Sequence, residues 1–142
     1  MRLWSYQLLP YLDDFHIVAQ WRELLAIKGA IDKNGTPNHR LVNKLLDYSI
    51  LEFKQYTFKV AEEMQRRKIK FIASKLGDFM VWECKHFSHR DTKTLYEGWH
   101  NTRYLTQCYF NLQEKADCGI VSPEAWQRID QFYKKYLEEK ND

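Results

Sequence analysis

Cysteine is scarce in this chain. Cys84, Cys108 and Cys118 are an odd number and lack the spacing of a disulfide framework. That excludes a small secreted scaffold stapled by bridges and points to a reduced, cytoplasmic protein. Glycine (five) and proline (three) are also few, which argues against a turn-rich sandwich or barrel. No apolar run approaches the length of a membrane span, so no membrane partner is expected. Arg2, Tyr6, Asp13 and Asp14 interrupt what would otherwise pass as a secretory leader. A phosphate-binding Gly-rich loop, a nucleophile elbow and a paired Cys-x-x-Cys are all missing. Cys84, His86 and His89, with Cys118 further on, match no standard zinc spacing. They are read as ordinary packing or surface positions, and no metal or other cofactor is expected.

What is present is apolar and aromatic material. Of 142 residues, 44% are hydrophobic and 15% aromatic, enough to fill the core of one domain over residues 1–142 but not of two. Lys and Arg number 22 against 19 Asp and Glu, for a formal charge of +3. An excess this small says nothing alone about partners. Its distribution says more. Between Gln65 and Gly77 stand Arg66, Arg67, Lys68, Lys70 and Lys75, with no acid among them. One reading is a solvated helix end, where cations complement the macrodipole. The other is a patch that contacts phosphates.

Along the chain, residues 1–12 form an apolar arm that is packed down rather than frayed, with Pro10 opposing a continuous helix. Asp13 or Asp14 caps a helix running to about residue 31. The stretch Asp32 to Pro37 is a loop, and Asn38 to Tyr48 a second helix. A long third helix spans Ile50 to about Lys70. Helical patterning continues from Phe71 to Phe87 with a break near Gly77. Residues 88–98 form a loop, Thr102 to Ala116 a helix ended by Cys118-Gly119, and Ser122-Pro123-Glu124 starts the last helix, which runs to about Glu138. The fold class is therefore all-α, one compact domain of five to six helices without strands.

Chemistry is suggested by the first long helix. At 100° per residue, Ile17, Val18, Trp21, Leu24 and Leu25 cluster on one side and His16, Gln20 and Glu23 on the other. Ala19 and Ala26 flank this polar stripe and leave room for close approach. A carboxylate beside an imidazole is a workable proton-transfer pair. The ordinary alternative is a solvated surface stripe, with Glu23 pairing to Arg22 or Lys28. Trp99, Tyr104 and Tyr133 could stack on bases, but their helical spacing favours core packing.

The segment His16-Ile17-Val18-Ala19-Gln20-Trp21-Arg22-Glu23-Leu24, followed by Gly29-Ala30, resembles the catalytic helix of the pyrimidine-dimer DNA glycosylases, whose type member is the phage endonuclease V. Met1-Arg2-Leu3-Trp4, Gly35-Thr36-Pro37-Asn38-His39, Trp99-His100-Asn101, Arg103-Tyr104-Leu105, Asn111-Leu112-Gln113-Glu114-Lys115 and Asp117-Cys118-Gly119 resemble a bacterial or phage-borne branch of that family. The likeness implies an endonuclease V-like helical fold. It implies a monomeric glycosylase with abasic-site lyase activity on damaged double-stranded DNA, specifically on ultraviolet-induced pyrimidine dimers. In this family the nucleophile is the α-amine of the N-terminus, which attacks C1′, forms a Schiff base and permits β-elimination. By the same likeness Glu23 is the essential acid, and Arg2, His16, Gln20 and Arg22 bind or orient the lesion strand. Arg66, Arg67 and Lys68 then become backbone contacts.

Two positions depart from the phage-type pattern. Arg2 follows Met1, and a bulky second residue retains the initiator, so the amine belongs to Met1 itself, with one extra residue absorbed near Ser5 to Pro10. Ala26 stands where the phage-type enzyme is basic. An α-amine titrates near 7.7–8.0 against about 10.4 for lysine, so roughly a tenth of such a group is free nucleophile at neutral pH. Two alternatives share the scaffold: a glycosylase or lyase for another lesion or for abasic sites, and a non-catalytic DNA-binding protein.

Overall fold

The computed structural model describes residues 1–141. Among them there is no strand, and five α-helices carry the fold: α1 (Asp14–Asn34), α2 (Ile50–Arg66), α3 (Ala73–Val81), α4 (Thr102–Asp117) and α5 (Pro123–Asn141). Two short 3₁₀ segments, Tyr6–Tyr11 and Val42–Asp47, complete the helical elements described. The all-α expectation holds. No helix described is long and apolar enough to cross a membrane.

The N-terminal arm is part of the interior. Leu3, Trp4, Leu8, Leu9 and Leu12 are all buried, and each such side chain contributes about 1.5–3 kcal/mol by leaving water. The arm packs on α2 and α5, α1 packs along α2, and α4 along α5. As a result α1 is enclosed on two sides. Ile17, Trp21, Leu24, Ile27 and Ile31 face one part of the core, while His16 and Gln20 are buried under the arm. The His16 and Gln20 part of the polar stripe is thus internal, while Glu23 reaches an opening.

Three expected elements shift, each for a local reason. The expected second helix, Asn38 to Tyr48, is reduced to the 3₁₀ segment Val42–Asp47. Asn43 Oδ1 accepts from the His39 N–H and the Thr36 hydroxyl, both at 3.1 Å, and Asn38 takes a left-handed backbone, φ 59°. These side-chain bonds compete with the helix ladder. The third helix stops at Arg66 rather than near Lys70. Lys68 adopts φ 60°, and the Ile69 N–H bonds the Met64 carbonyl at 2.8 Å. This is the helix-ending arrangement usually built on glycine. The expected break at Gly77 does not occur, since α3 runs through it. An exposed glycine inside a helix costs only about 1 kcal/mol.

Helix ends otherwise follow their signals. Gly35 ends α1 at φ 78°, with the His86 ring so close that any Cβ would press on it. The Ala125 N–H donates to Ser122 Oγ at the start of α5. At α1, Asp13 has cap backbone geometry, but its carboxylate is turned to His16 Nδ1 at 2.6 Å.

Candidate active site

The arm reaches the site in an extended conformation, and side chains from four places hold its backbone. The Trp4 N–H donates to Gln20 Oε1 on α1 at 2.9 Å. The Arg2 carbonyl accepts from Gln20 Nε2 at 3.1 Å. The Trp4 carbonyl accepts from the Tyr56 hydroxyl on α2 at 2.7 Å. The Leu3 carbonyl accepts from the Tyr104 hydroxyl on α4. The Tyr6 N–H donates to His100 Nδ1 at 3.2 Å. Buried backbone groups need partners, and an arm outside any ladder must find them in side chains. Burial holds the His100 imidazole far below its ordinary value, at about 3, so it stays a neutral acceptor.

This anchoring delivers Met1 to the edge of a cleft of about 300 Å³ lined by Met1, Arg2, Trp4, Glu23, Asn111 and Lys115. Glu23 is half-buried on α1, and Gln20 Nε2 donates to its Oε2 at 3.2 Å. Burial pushes its carboxyl above the ordinary value, against the opposing pull of the N-terminal ammonium, the Arg2 backbone, His16 and Lys115. A carboxyl so placed is poised to exchange a proton near an amine and two cations.

Arg2 is partly buried beside this pair. Its guanidinium lies 5.9 Å from the Trp4 ring centroid and 5.8 Å from that of Tyr104, with Nη1 3.7 Å from Cys108 Sγ. The two rings hold the planar fork at the cleft wall, where it still borders the opening. Glu23 also edges a second, shallower and more apolar groove with Asp14, Phe15, Val18, Ala19, Arg22 and Ile69. Phe15 is 67% exposed there, and Ala19 leaves space against the helix. Arg22 is exposed at the rim.

The remaining candidates are divided. His16 is 4% exposed, bonded to Asp13 and edge-on to Trp4, with Nε2 lacking a hydrogen-bond partner among the described residues. Gln20 is fully buried. Arg66 pairs with Glu63 at an exposed position. Arg67 has a side chain only 12% exposed, bonded to Glu63 at 2.8 Å, Asp14 at 3.0 Å and the carbonyls of Leu9 and Pro10. Lys68 is exposed at its left-handed turn. Met1, Arg2, Glu23 and Arg22 therefore gather around one region; Arg66, Arg67 and Lys68 lie at the end of α2. Trp99, Tyr104 and Tyr133 are buried, as core packing requires.

Asn111 and Lys115 were not singled out from the sequence as site residues. They stand four apart on α4, hence on one face, and that face forms the wall opposite Glu23. Their spacing and their place in the resembling segment Asn111–Lys115 were the signals, and these become meaningful only once α4 is known to pack beside the arm.

A family model described as pyrimidine dimer DNA glycosylase matches residues 1–76. Comparison with curated proteins and with solved structures gave no match. The matched stretch contains the arm, α1 and α2, and so both Met1 and Glu23.

Proposed function

The chain belongs to the pyrimidine dimer DNA glycosylase family, and from that premise we propose that it excises a base from dimer-containing duplex DNA and then cuts the strand, with the Met1 α-amine as nucleophile. The observation that carries this reading is the shared cleft of Met1 and Glu23. An apolar arm and a fully buried glutamine hold a terminal amine beside a carboxyl whose proton affinity burial has raised.

The steps balance as follows. The free amine forms a bond to C1′ as the glycosidic C1′–N bond breaks and the base departs with that electron pair. Glu23 stabilises the positive charge that develops at C1′. The amine nitrogen loses a proton, the ring C1′–O4′ bond opens with O4′ protonated, and the iminium forms. Removal of a C2′ proton by the carboxylate then expels the 3′ phosphate, breaking C3′–O3′. Arg2 and Arg22 would pair with flanking phosphates through their planar forks, and Lys115 would add a point charge across the cleft. His16 serves by holding Asp13 and the Trp4 edge. The whole of residues 1–142 is read as one domain, because α4, beyond the matched stretch, supplies a wall of the cleft.

The test is a substrate panel: duplexes carrying a cyclobutane dimer, an abasic site, an oxidised base or no lesion. Nicking of the dimer and abasic duplexes supports the proposal. Nicking of abasic DNA alone transfers the enzyme to another lesion, and binding without nicking of any duplex replaces it with a DNA-binding role.

A further inference from the structure

The side chain that organises the cleft is one that touches no solvent. Gln20 is 0% exposed and uses every hydrogen-bonding position of its amide. Oε1 accepts from the Trp4 N–H at 2.9 Å and from the Tyr56 hydroxyl at 3.0 Å. Nε2 donates to the Arg2 carbonyl at 3.1 Å and to Glu23 Oε2 at 3.2 Å. These partners fix the amide's orientation. Turned over, it would set its NH₂ against the Trp4 N–H and its oxygen against a carbonyl and a carboxylate.

We propose that Gln20 is a positioning residue for this reaction: one amide ties the arm that carries the Met1 amine to the Glu23 carboxylate and so sets their spacing. The proposal rests on the reading that those two groups react. Two bonds from Gln20 go to the arm's backbone within three residues of the terminus. Another goes to the carboxylate one helical turn away on the same face. Tyr56 shares its hydroxyl proton between the Trp4 carbonyl and Gln20 Oε1, which braces the amide from α2. Losing this tie removes two of the arm's backbone anchors and the amide donor of the carboxylate at once, and a misplacement of about 1 Å at reacting groups can cost 10²-fold in rate. This also moves Gln20 away from the direct strand contact expected from the sequence.

The test compares the full-length wild-type protein with Gln20→Met, which fills the space without hydrogen bonds, and Tyr56→Phe, which removes the brace on the amide together with one bond to the arm, at the Trp4 carbonyl. Two readouts are needed. The first is nicking kinetics on a dimer-containing duplex. The second is the ¹³C titration of the Glu23 carboxyl, which requires no turnover. The titratable and charged groups around this carboxyl, namely the Met1 amine, Arg2, His16, Arg22 and Lys115, are unchanged in both variants. Expected for Gln20→Met is a fall in kcat of at least about tenfold with KM within about twofold. Its Glu23 titration moves upward, because a donor to the charged form is lost. Tyr56→Phe shows the same signs with smaller amplitude, and it carries the test if Gln20→Met fails to fold. Folded variants with wild-type kcat and an unmoved Glu23 titration would overturn the proposal. If the wild type itself does not nick DNA but the titration still moves, the positioning survives and the proposed reaction fails.

Discussion

Arg67 donates to Asp14 at 3.0 Å, joining the residue that caps the end of α2 to the first residue of α1. The same guanidinium bonds Glu63 and the carbonyls of Leu9 and Pro10, so one side chain clamps two helices and the arm. Its fork is occupied by protein. Arg67→Met should therefore lower stability by about 2–3 kcal/mol, since it strands carbonyls and weakens the pairing of a buried glutamate. The salt dependence of duplex binding should stay unchanged. Denaturation and binding titrations at several salt concentrations check this, and a stable variant with a shallower salt slope would return Arg67 to the DNA interface.

Arg22 and Lys115 present the opposite case, since they border the two openings beside Glu23. Arg22→Ala and Lys115→Ala should each reduce the slope of log K against log salt by about 1. Melting temperatures should stay near wild type. Slopes identical to wild type in both variants would place the duplex elsewhere on the molecule.

Glu23→Gln retains shape and hydrogen bonding but cannot move a proton. Nicking should fall by about 10²–10⁴-fold while duplex affinity is kept. In the wild type, burial raises the Glu23 carboxyl above its ordinary value. In the proposed reaction the ionised form stabilises C1′ and removes the C2′ proton, so activity should decline as pH falls through that raised value. An acid limb at or below the ordinary glutamate value would show that another group controls the rate.

His100 supplies a stability prediction. Folding depresses its imidazole to about 3 from an ordinary 6.5. The unfolded chain therefore takes up a proton that the folded chain refuses. The contribution of this neutral histidine is fully present above pH 6.5 and is lost between 6.5 and about 3, at up to about 1.4 kcal/mol per pH unit. His100→Gln keeps an acceptor for the Tyr6 N–H without titrating. Its denaturation midpoints should fall less between pH 7 and 4.5 than those of the wild type, and parallel curves would refute this role.

Much of the fold could be read from the residues because local signals agreed with the tertiary outcome. Gly119 shows the point: it ends α4 at φ 78°, with the Ile120 N–H on the Lys115 carbonyl at 2.8 Å. The same arrangement ends α2 around Lys68, and there nothing local announces it. A non-glycine residue is held left-handed at a cost of about 1–2 kcal/mol by bonds and packing that only the folded chain supplies. The site divides in the same way. Glu23 and Arg22, which line the candidate openings, were singled out from their helix and its likeness to a known one. Gln20 and Arg67 read as strand contacts because their buried partners, Trp4, Tyr56, Asp14 and Glu63, come from elements distant in sequence. Lys115 was noted only as part of a resembling segment and given no role for the same reason, since its meaning depends on α4 meeting the arm.

In the proposed reaction the Met1 amine attacks the damaged nucleotide. Its most direct test is borohydride trapping on a dimer-containing duplex, using protein whose intact mass shows an unmodified Met1, followed by peptide mapping of the adduct. A covalent adduct on the N-terminal peptide is expected, disappearing when the amine is acetylated or preceded by added residues. Trapping on an internal lysine, or unimpaired trapping by the acetylated protein, would contradict the account.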